Sequence, residues 1–320
     1  MPRFVTVSCL GPERHRVPGD SSIEDAWRVV RAHLQESIDQ VLPERPALIV
    51  LPEACDRPDF FTVEKRKEYF RAAGAENLAW IRTVARENGC SIAYASLTEV
   101  EDGSWRNRLS VIDRTGGVAG VYDKNHVVIE ETVEAGILCG TEAPLIHCDF
   151  GTAAGVICFD LQFDRLRLHY KELAPDLLIF SSRYHGGMAQ SLWAFTCRSW
   201  FAGAIMGLPC TILSPLGEVV AASTMNLFHA TARINLDSAL VHLDQNLERF
   251  PAAKEKYGPR FVVREPPDGY LDIALLSSEE EGRTIRQIMQ EFEIEPLESY
   301  LARSLAHHDQ PCNRAGGRAP

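Results

Sequence analysis

Cys158 stands at the end of the apolar run Ala153-Ala154-Gly155-Val156-Ile157, where the chain turns into Phe159-Asp160-Leu161-Gln162-Phe163. Two other apolar runs end on ionisable groups in the same manner. Leu48-Ile49-Val50-Leu51-Pro52 delivers Glu53, and Val118-Ala119-Gly120-Val121-Tyr122-Asp123 delivers Lys124. A thiolate is a strong nucleophile, but an ordinary thiol is mostly protonated at neutral pH and needs a base beside it. A carboxylate can take that proton, and an ammonium can hold the negative charge that develops on the substrate. Each residue also has a bland reading by itself. A glutamate after proline caps a helix, a lysine guards a sheet edge, and a free cysteine fills a core. Three strand ends carrying this set in one chain order favour the chemical reading.

The elements that must position these residues alternate between two periods. Phe4 to Cys9 reads as a strand. Ser21 and Glu24 form a capping box, and Ile23, Trp27, Val30, Leu34, Ile38 and Leu42 recur at helical spacing. A strand at 47–51 precedes Glu53. Leu78, Ile81, Val84 and Ala85 mark a second helix closed by Gly89. Strands follow at 91–96, 107–113 and 118–123, and the segment 125–144 has no clean period and reads as a loop over the site. Strands at 145–149 and 153–158 lead to a helix at 162–173, a strand at 177–181 and a helix at 188–201, with Trp193 and Trp200 at helical spacing. Segments 203–213, 218–222 and 228–235 complete the strands. Such alternation predicts a layered α/β fold. Residues 240–275 read as an arm with a strand at 271–275, residues 279–306 as one or two amphipathic helices, and 307–320 as a mobile tail. The division expected is a main domain over 1–275, a helical extension over 276–306 and the tail.

The 320 residues are 45% hydrophobic and 24% charged, the composition of an ordinary globular chain. A net charge of −11 disfavours nucleic-acid and anionic-membrane partners, which require clustered positive charge. No apolar run is long enough to span a bilayer, and Met1-Pro2-Arg3-Phe4 leads into a strand without a signal-peptide apolar region. The nine cysteines are irregularly spaced, as reduced thiols in a cytoplasm would be, and none falls at zinc-ligand spacing. No metal and no cofactor are expected.

The motifs Leu51-Pro52-Glu53, Tyr122-Asp123-Lys124-Asn125-His126 and Ile157-Cys158-Phe159-Asp160 resemble, in order and spacing, those of the carbon–nitrogen hydrolase (nitrilase) superfamily. The resemblance runs from the first strand near Phe4 to about Asp237 and implies a four-layer αββα sandwich with a C-terminal arm, assembled at least as a dimer. It implies that Glu53 is general base to Cys158 and then general acid to the leaving nitrogen, with its pKa raised toward neutrality by burial. Lys124 and the backbone N–H of Phe159 would hold the oxyanion. It also implies a second carboxylate between Lys124 and Cys158. Glu130, Glu131 and Glu134 compete for that role, and Glu134, ahead of Ala135-Gly136-Ile137-Leu138-Cys139-Gly140, fits the pattern best.

Phe159-Asp160 after the cysteine looks like the amidase and carbamoylase branches, whereas nitrile hydrolysers commonly carry Trp-Glu. Asp164 and Arg165 stand where relatives often have Pro-Glu, which alters the entry into the following helix. Asp160 reads as a structural cap. Arg183, Tyr184 and His185 occupy a strand-to-helix loop where substrate-facing side chains are expected, His126 is a further candidate, and Phe60 and Phe61 are candidate pocket walls. The expected activity is hydrolysis of a small amide or N-carbamoyl compound through a cysteine thioester. Alternatives are a nitrilase, an acyltransferase, or a non-catalytic oligomeric scaffold.

Overall fold

The structure, a computed structural model, describes residues 3–266 and 271–310. It divides into two compact units, Val5–Ile234 and a second made from the described residues of the N-terminus together with those from Asn235 onward.

In the larger unit, β1 (Phe4–Leu10) leads to α1 (Ile23–Asp39), β2 (Leu48–Val50), α2 (Val63–Asn88), β3 (Ser91–Glu99), β4 (Trp105–Ile112) and β5 (Val118–Asp123). The short α3 (Ile129–Val133) interrupts the expected loop. Then come β6 (Ile146–Cys148), β7 (Gly151–Ile157), α4 (Asp164–Leu173), β8 (Leu177–Ser182), α5 (Met188–Cys197), β9 (Trp200–Ile205), β10 (Thr211–Leu213), β11 (Val219–Ala222) and β12 (His229–Asn235). Two six-stranded sheets result, ordered β12-β1-β2-β3-β4-β5 and β11-β10-β9-β8-β7-β6. In each, parallel pairs (β1–β2 and β2–β3, β7–β8 and β8–β9) lie at the centre and antiparallel pairs outside. The central strands are mainly apolar, as strands covered on both faces tend to be, and β2 and β8 have every residue buried. β2 packs on β8 and β9, α2 covers β3, and α5 covers β9, giving the layers α-β-β-α. The helix layer of the first sheet closes a core around Val30, Leu34, Ile38, Tyr69, Ile81 and Ile92, where each large apolar side chain contributes about 1.5–3 kcal/mol by leaving water.

The sheets approach closely where Gly155 of β7 meets Tyr122 of β5. A Cβ on Gly155 would lie 2.8 Å from Tyr122 Cβ. This gap lets the Tyr122 hydroxyl donate to Asp160 Oδ2 at 2.7 Å.

Several boundaries differ from the sequence reading. Ser22, one residue later than expected, caps α1 by accepting from Asp25 N at 3.1 Å. α2 begins much earlier than expected, at Val63 behind the cap Thr62, which accepts from Lys65 N, because Tyr69, Phe70, Ala73 and Asn77 already form a buried stripe within its charged first half. α5 stops at Arg198 (φ 56°), so Trp200 belongs to β9, and residues 203–213 form the β9–β10 hairpin.

The second unit holds β13 (Ser238–His242), α6 (Phe250–Tyr257), β14 (Phe261–Arg264), β15 (Ile273–Ser278), α7 (Ile285–Glu291) and α8 (Leu297–His308). Its sheet runs β13-β15-β14, and Val241, Phe250, Phe261, Leu276, Ile288 and Met289 form its core. Asp237 anchors α7 by accepting from Ile285 N at 3.0 Å. The tail expected at 307–320 begins on the last turn of α8, and its residues 311–320 lie outside the described residues.

Candidate active site

Three chain reversals deliver the charged set. β2 ends at Val50, and the Leu51 carbonyl accepts Ser181 Oγ from the opposite sheet at 2.8 Å. Glu53 then points into the sandwich, 3% exposed. Lys124 follows β5 directly. Its backbone N donates to Asn107 O on β4 at 2.9 Å, and its carbonyl accepts from Gly140 N at 2.8 Å. Only 1% of Lys124 is exposed, which is not the position of an edge-strand lysine.

Cys158 follows β7 and opens a 3-10 turn over Cys158–Gln162. Its φ is 48°, a left-handed conformation that costs a non-glycine residue about 1–3 kcal/mol and is held by its surroundings. Asp160 supplies much of that hold. Fully buried, it accepts from Ile157 N at 3.0 Å, His126 N at 2.8 Å and Tyr122 Oη at 2.7 Å, and pairs with His126 Nδ1 at 2.9 Å. The structural part expected of Asp160 is therefore larger than a cap, since it ties the Cys158 turn to the Lys124 segment. Phe159 lies in the first turn, whose backbone N–H groups have no partner inside the helix.

Lys124 Nζ donates to Glu53 Oε1 at 2.9 Å and to Glu131 Oε2 at 2.8 Å. Asn107 Nδ2 also donates to Glu53 Oε1, at 2.8 Å. Glu131 reaches back from α3 and takes Val128 N at 3.1 Å as well. Glu131, and not Glu134, is thus the carboxylate on the lysine. The short α3 sets this choice, because its register turns Glu131 inward while Glu134 stands exposed at the rim of the same cavity.

The electrostatics follow from this packing. Burial alone raises a carboxyl pKa, but the Lys124 charge and the hydrogen bonds of Lys124, Cys158 and Asn107 outweigh it, so Glu53 is held below its ordinary value. This is opposite to the expected shift toward neutrality, because an ammonium buried against the carboxylate favours its charged form. Burial would lower Lys124, yet Glu53 and Glu131 raise it. Burial and the Glu53 charge push the Cys158 thiol up to about 12, against the opposing pull of Lys124. The set is therefore thiol, carboxylate and ammonium.

These residues border a cavity of about 280 Å³ together with Arg57, Val63, Arg66, Phe70, Trp105 and Arg183, near the lower end of small-molecule sites, roughly 300 Å³. Of the substrate-facing candidates, only Arg183 lines it. Its guanidinium is 10% exposed and committed to Asp59, at 2.7 and 2.8 Å. Tyr184 Oη accepts from Gln162 Nε2 at 3.0 Å, and His185 Nδ1 accepts from Gly187 N at 3.1 Å, each serving its own loop. His126 stacks on Phe163 with ring centroids 3.8 Å apart and borders a different depression. Phe60 is 62% exposed beside Arg14 and Arg16, so it walls no part of this cavity, while Phe61 is buried in the core. The sequence reading missed Asn107, although a polar residue within the buried alternation Trp105, Asn107, Leu109 of β4 is itself a signal.

The family profile described as carbon-nitrogen hydrolase matches residues 21–205, more than half of the chain. Among curated protein sequences nothing matches. Solved structures share the fold at low identity. A carbon-nitrogen hydrolase from Helicobacter pylori G27 is 15% identical, with TM-score 0.63, covering 80% of this chain and 93% of its own. Nit3 of Saccharomyces cerevisiae, from branch 10 of the nitrilase superfamily, is 13% identical with TM-score 0.60, covering 72% and 90%. A mutant of the Nesterenkonia sp. AN1 amidase, carrying the acetamide moiety of fluoroacetamide on its active-site cysteine, is 13% identical with TM-score 0.57, covering 72% and 90%. This chain belongs to the carbon–nitrogen hydrolase family and has the nitrilase-type fold.

Proposed function

We propose that this chain hydrolyses a small amide or N-carbamoyl compound through a thioester on Cys158. The observation that carries the reading is the pairing of Lys124 with Glu53 and Glu131 in the cavity that Cys158 borders. Glu53 takes the thiol proton as Sγ adds to the carbonyl or carbamoyl carbon. Lys124 and the Phe159 N–H hold the resulting oxyanion, a contribution of about 10²–10³ in rate per donor. Collapse of the adduct breaks the C–N bond, and Glu53 returns the proton to the departing nitrogen. Water then enters, gives a proton to Glu53 and attacks the thioester. The acid product leaves, and the proton returns to the thiolate. One water is consumed for each C–N bond cleaved. Glu131 keeps Lys124 fixed and charged throughout.

The test is intact-protein mass spectrometry during turnover of a panel of amides and N-carbamoyl compounds, with ammonia assayed in parallel. The expected result is an acyl adduct on Cys158 and no turnover by Cys158→Ala. Full activity in that variant would overturn the reading.

Two coarser features go with it. Exposed Leu168 and Leu173 on α4, and Met188 and Leu192 on α5, support self-association through apolar side chains, with Met188 84% exposed. Light scattering of wild type and Met188→Asp tests this. The eight cysteines among the described residues are all unpaired, which supports a reducing compartment such as the cytoplasm. Among those residues no helix is long and apolar enough to cross a membrane.

A further inference from the structure

Not every cation on the cavity wall has a carboxylate partner. Arg57, Arg66 and Arg183 all border it. Arg183 gives both Asp59 oxygens a donor, at 2.7 and 2.8 Å, and Arg57 bonds the same carboxylate at 3.0 and 3.1 Å. One carboxylate thus serves two guanidinium groups. Arg66, in the first turns of α2, donates Nε to the Phe61 carbonyl at 3.1 Å. Among the described residues its side chain has no other hydrogen bond and no ion pair. Its terminal nitrogens are therefore available in a half-buried setting. Burial and the neighbouring Arg57 charge both press its pKa down, only partly offset by Asp59, Glu134 and Glu64. A bound anion would relieve that strain on the charged form. Glu130 and Glu134 also border the cavity, but they stand exposed, where water screens them. Lys67 borders the cavity as well, its Nζ 5.6 Å from the Trp105 ring, and the apolar part of the wall comes from Val63, Phe70, Leu97, Trp105 and Ile137.

We propose that the Arg66 guanidinium is an anion subsite of this cavity, and that the substrate carries a carboxylate at the end remote from its scissile C–N bond. The substrate class is then the monoamides or N-carbamoyl derivatives of short carboxylic acids, with the apolar wall covering the methylene chain between the two ends. Arg183, although buried in the same wall, is not the recognition residue, because its fork is filled by Asp59. The proposal rests on the amidohydrolase reading above, so its test separates the two.

Succinamate and succinamide have the same shape and differ by one charge. Ammonia release is measured from each with wild type, Arg66→Gln and Arg66→Lys, all checked for unchanged thermal unfolding. Wild type is expected to prefer the anion in kcat/KM by about tenfold or more, as a charge-assisted pair provides. Arg66→Gln should raise KM for succinamate by a similar factor, well beyond its effect on succinamide, and so erase the preference, and Arg66→Lys should recover part of it. Equal use of both compounds by wild type, or a preference that survives Arg66→Gln, overturns the subsite while leaving the hydrolase reading intact. If wild type consumes neither amide, succinate binding by calorimetry decides the matter. Binding to wild type that Arg66→Gln abolishes supports the subsite, and binding that is absent or unaffected overturns it.

Discussion

Asn107 Nδ2 donates to Glu53 Oε1, the same oxygen that Lys124 holds, and so fixes the carboxylate from β4, two strands away from β2 in the same sheet. Asn107 Oδ1 is buried with no partner among the described residues. The amide therefore acts through its donor, which lowers the Glu53 pKa. Asn107→Leu removes that donor. The acid limb of the kcat/KM profile should move to higher pH, with kcat falling about 10–100-fold. An acid limb that stays in place, with only stability reduced, would show that Asn107 merely packs.

The Glu53 charge, which the proposed reaction uses to take the thiol proton, is also among the causes that raise Cys158 to about 12. Glu53→Gln removes the charge and leaves Lys124 beside the sulfur. Alkylation of Cys158 by iodoacetamide should then set in at lower pH than in wild type, while turnover is lost. Rate–pH profiles of alkylation for the two proteins check the sign.

Glu131→Gln should cost about 10–100-fold in kcat, because Lys124 loses a charge-assisted bond of 2.8 Å. Glu134→Gln should cost at least tenfold less than that. Steady-state kinetics of both variants distinguishes the two carboxylates directly.

The buried trio also ties stability to pH. Glu53 has a lowered folded pKa, so its contribution is present above the ordinary carboxylate value and is lost as pH falls through the folded one. Lys124 has a raised folded pKa, so its contribution is complete below the ordinary lysine value and is lost as pH rises through the folded one. Lys124→Met should cost about 3–5 kcal/mol, as removal of one partner from a buried pair does. The carboxylates left behind prefer to be protonated, so stability of this variant should fall as pH rises from about 4 to 7. Urea unfolding across that range measures the reversal.

Gly155→Ala should destabilise the larger unit by about 1–3 kcal/mol, the usual cost of overpacking, because its Cβ would meet Tyr122 Cβ at 2.8 Å. Thermal unfolding measures the loss. Activity should fall further than stability alone explains, since Tyr122 carries the bond to Asp160 beneath Cys158.

Glu53, Lys124 and Cys158 were legible because each ends an apolar run, and a strand end fixes the depth and direction of the next residue with little help from the rest of the chain. Glu131 could not be separated from Glu134 in that way, since the answer depends on the five residues of α3, too short for a periodic signal. Arg183 and His126 were visible as polar residues near the site. Their commitments to Asp59 and Asp160 arise from contacts 124 and 34 residues away in sequence, which local pattern does not encode. Arg66 was hidden in the charged run Glu64-Lys65-Arg66-Lys67-Glu68, where an exposed helix face and a cavity wall look alike. The layered α/β class followed from the alternation of periods, whereas the break between α5 and β9 did not. Trp193 and Trp200 are seven apart, and only the Arg198 conformation places them in different elements.

Glu53 and Lys124 belong to one sheet of the sandwich, and Cys158 to the other. Neither half holds the whole set. A chain emerging from synthesis, or one partly unfolded by heat, carries an unremarkable thiol with no base within reach. Cys158 meets Glu53 and Lys124 only when the second sheet docks on the first and Tyr122 seats over Gly155. Recovery of turnover after dilution from denaturant should therefore report the last docking event of the fold, and the molecule is chemically quiet until it is complete.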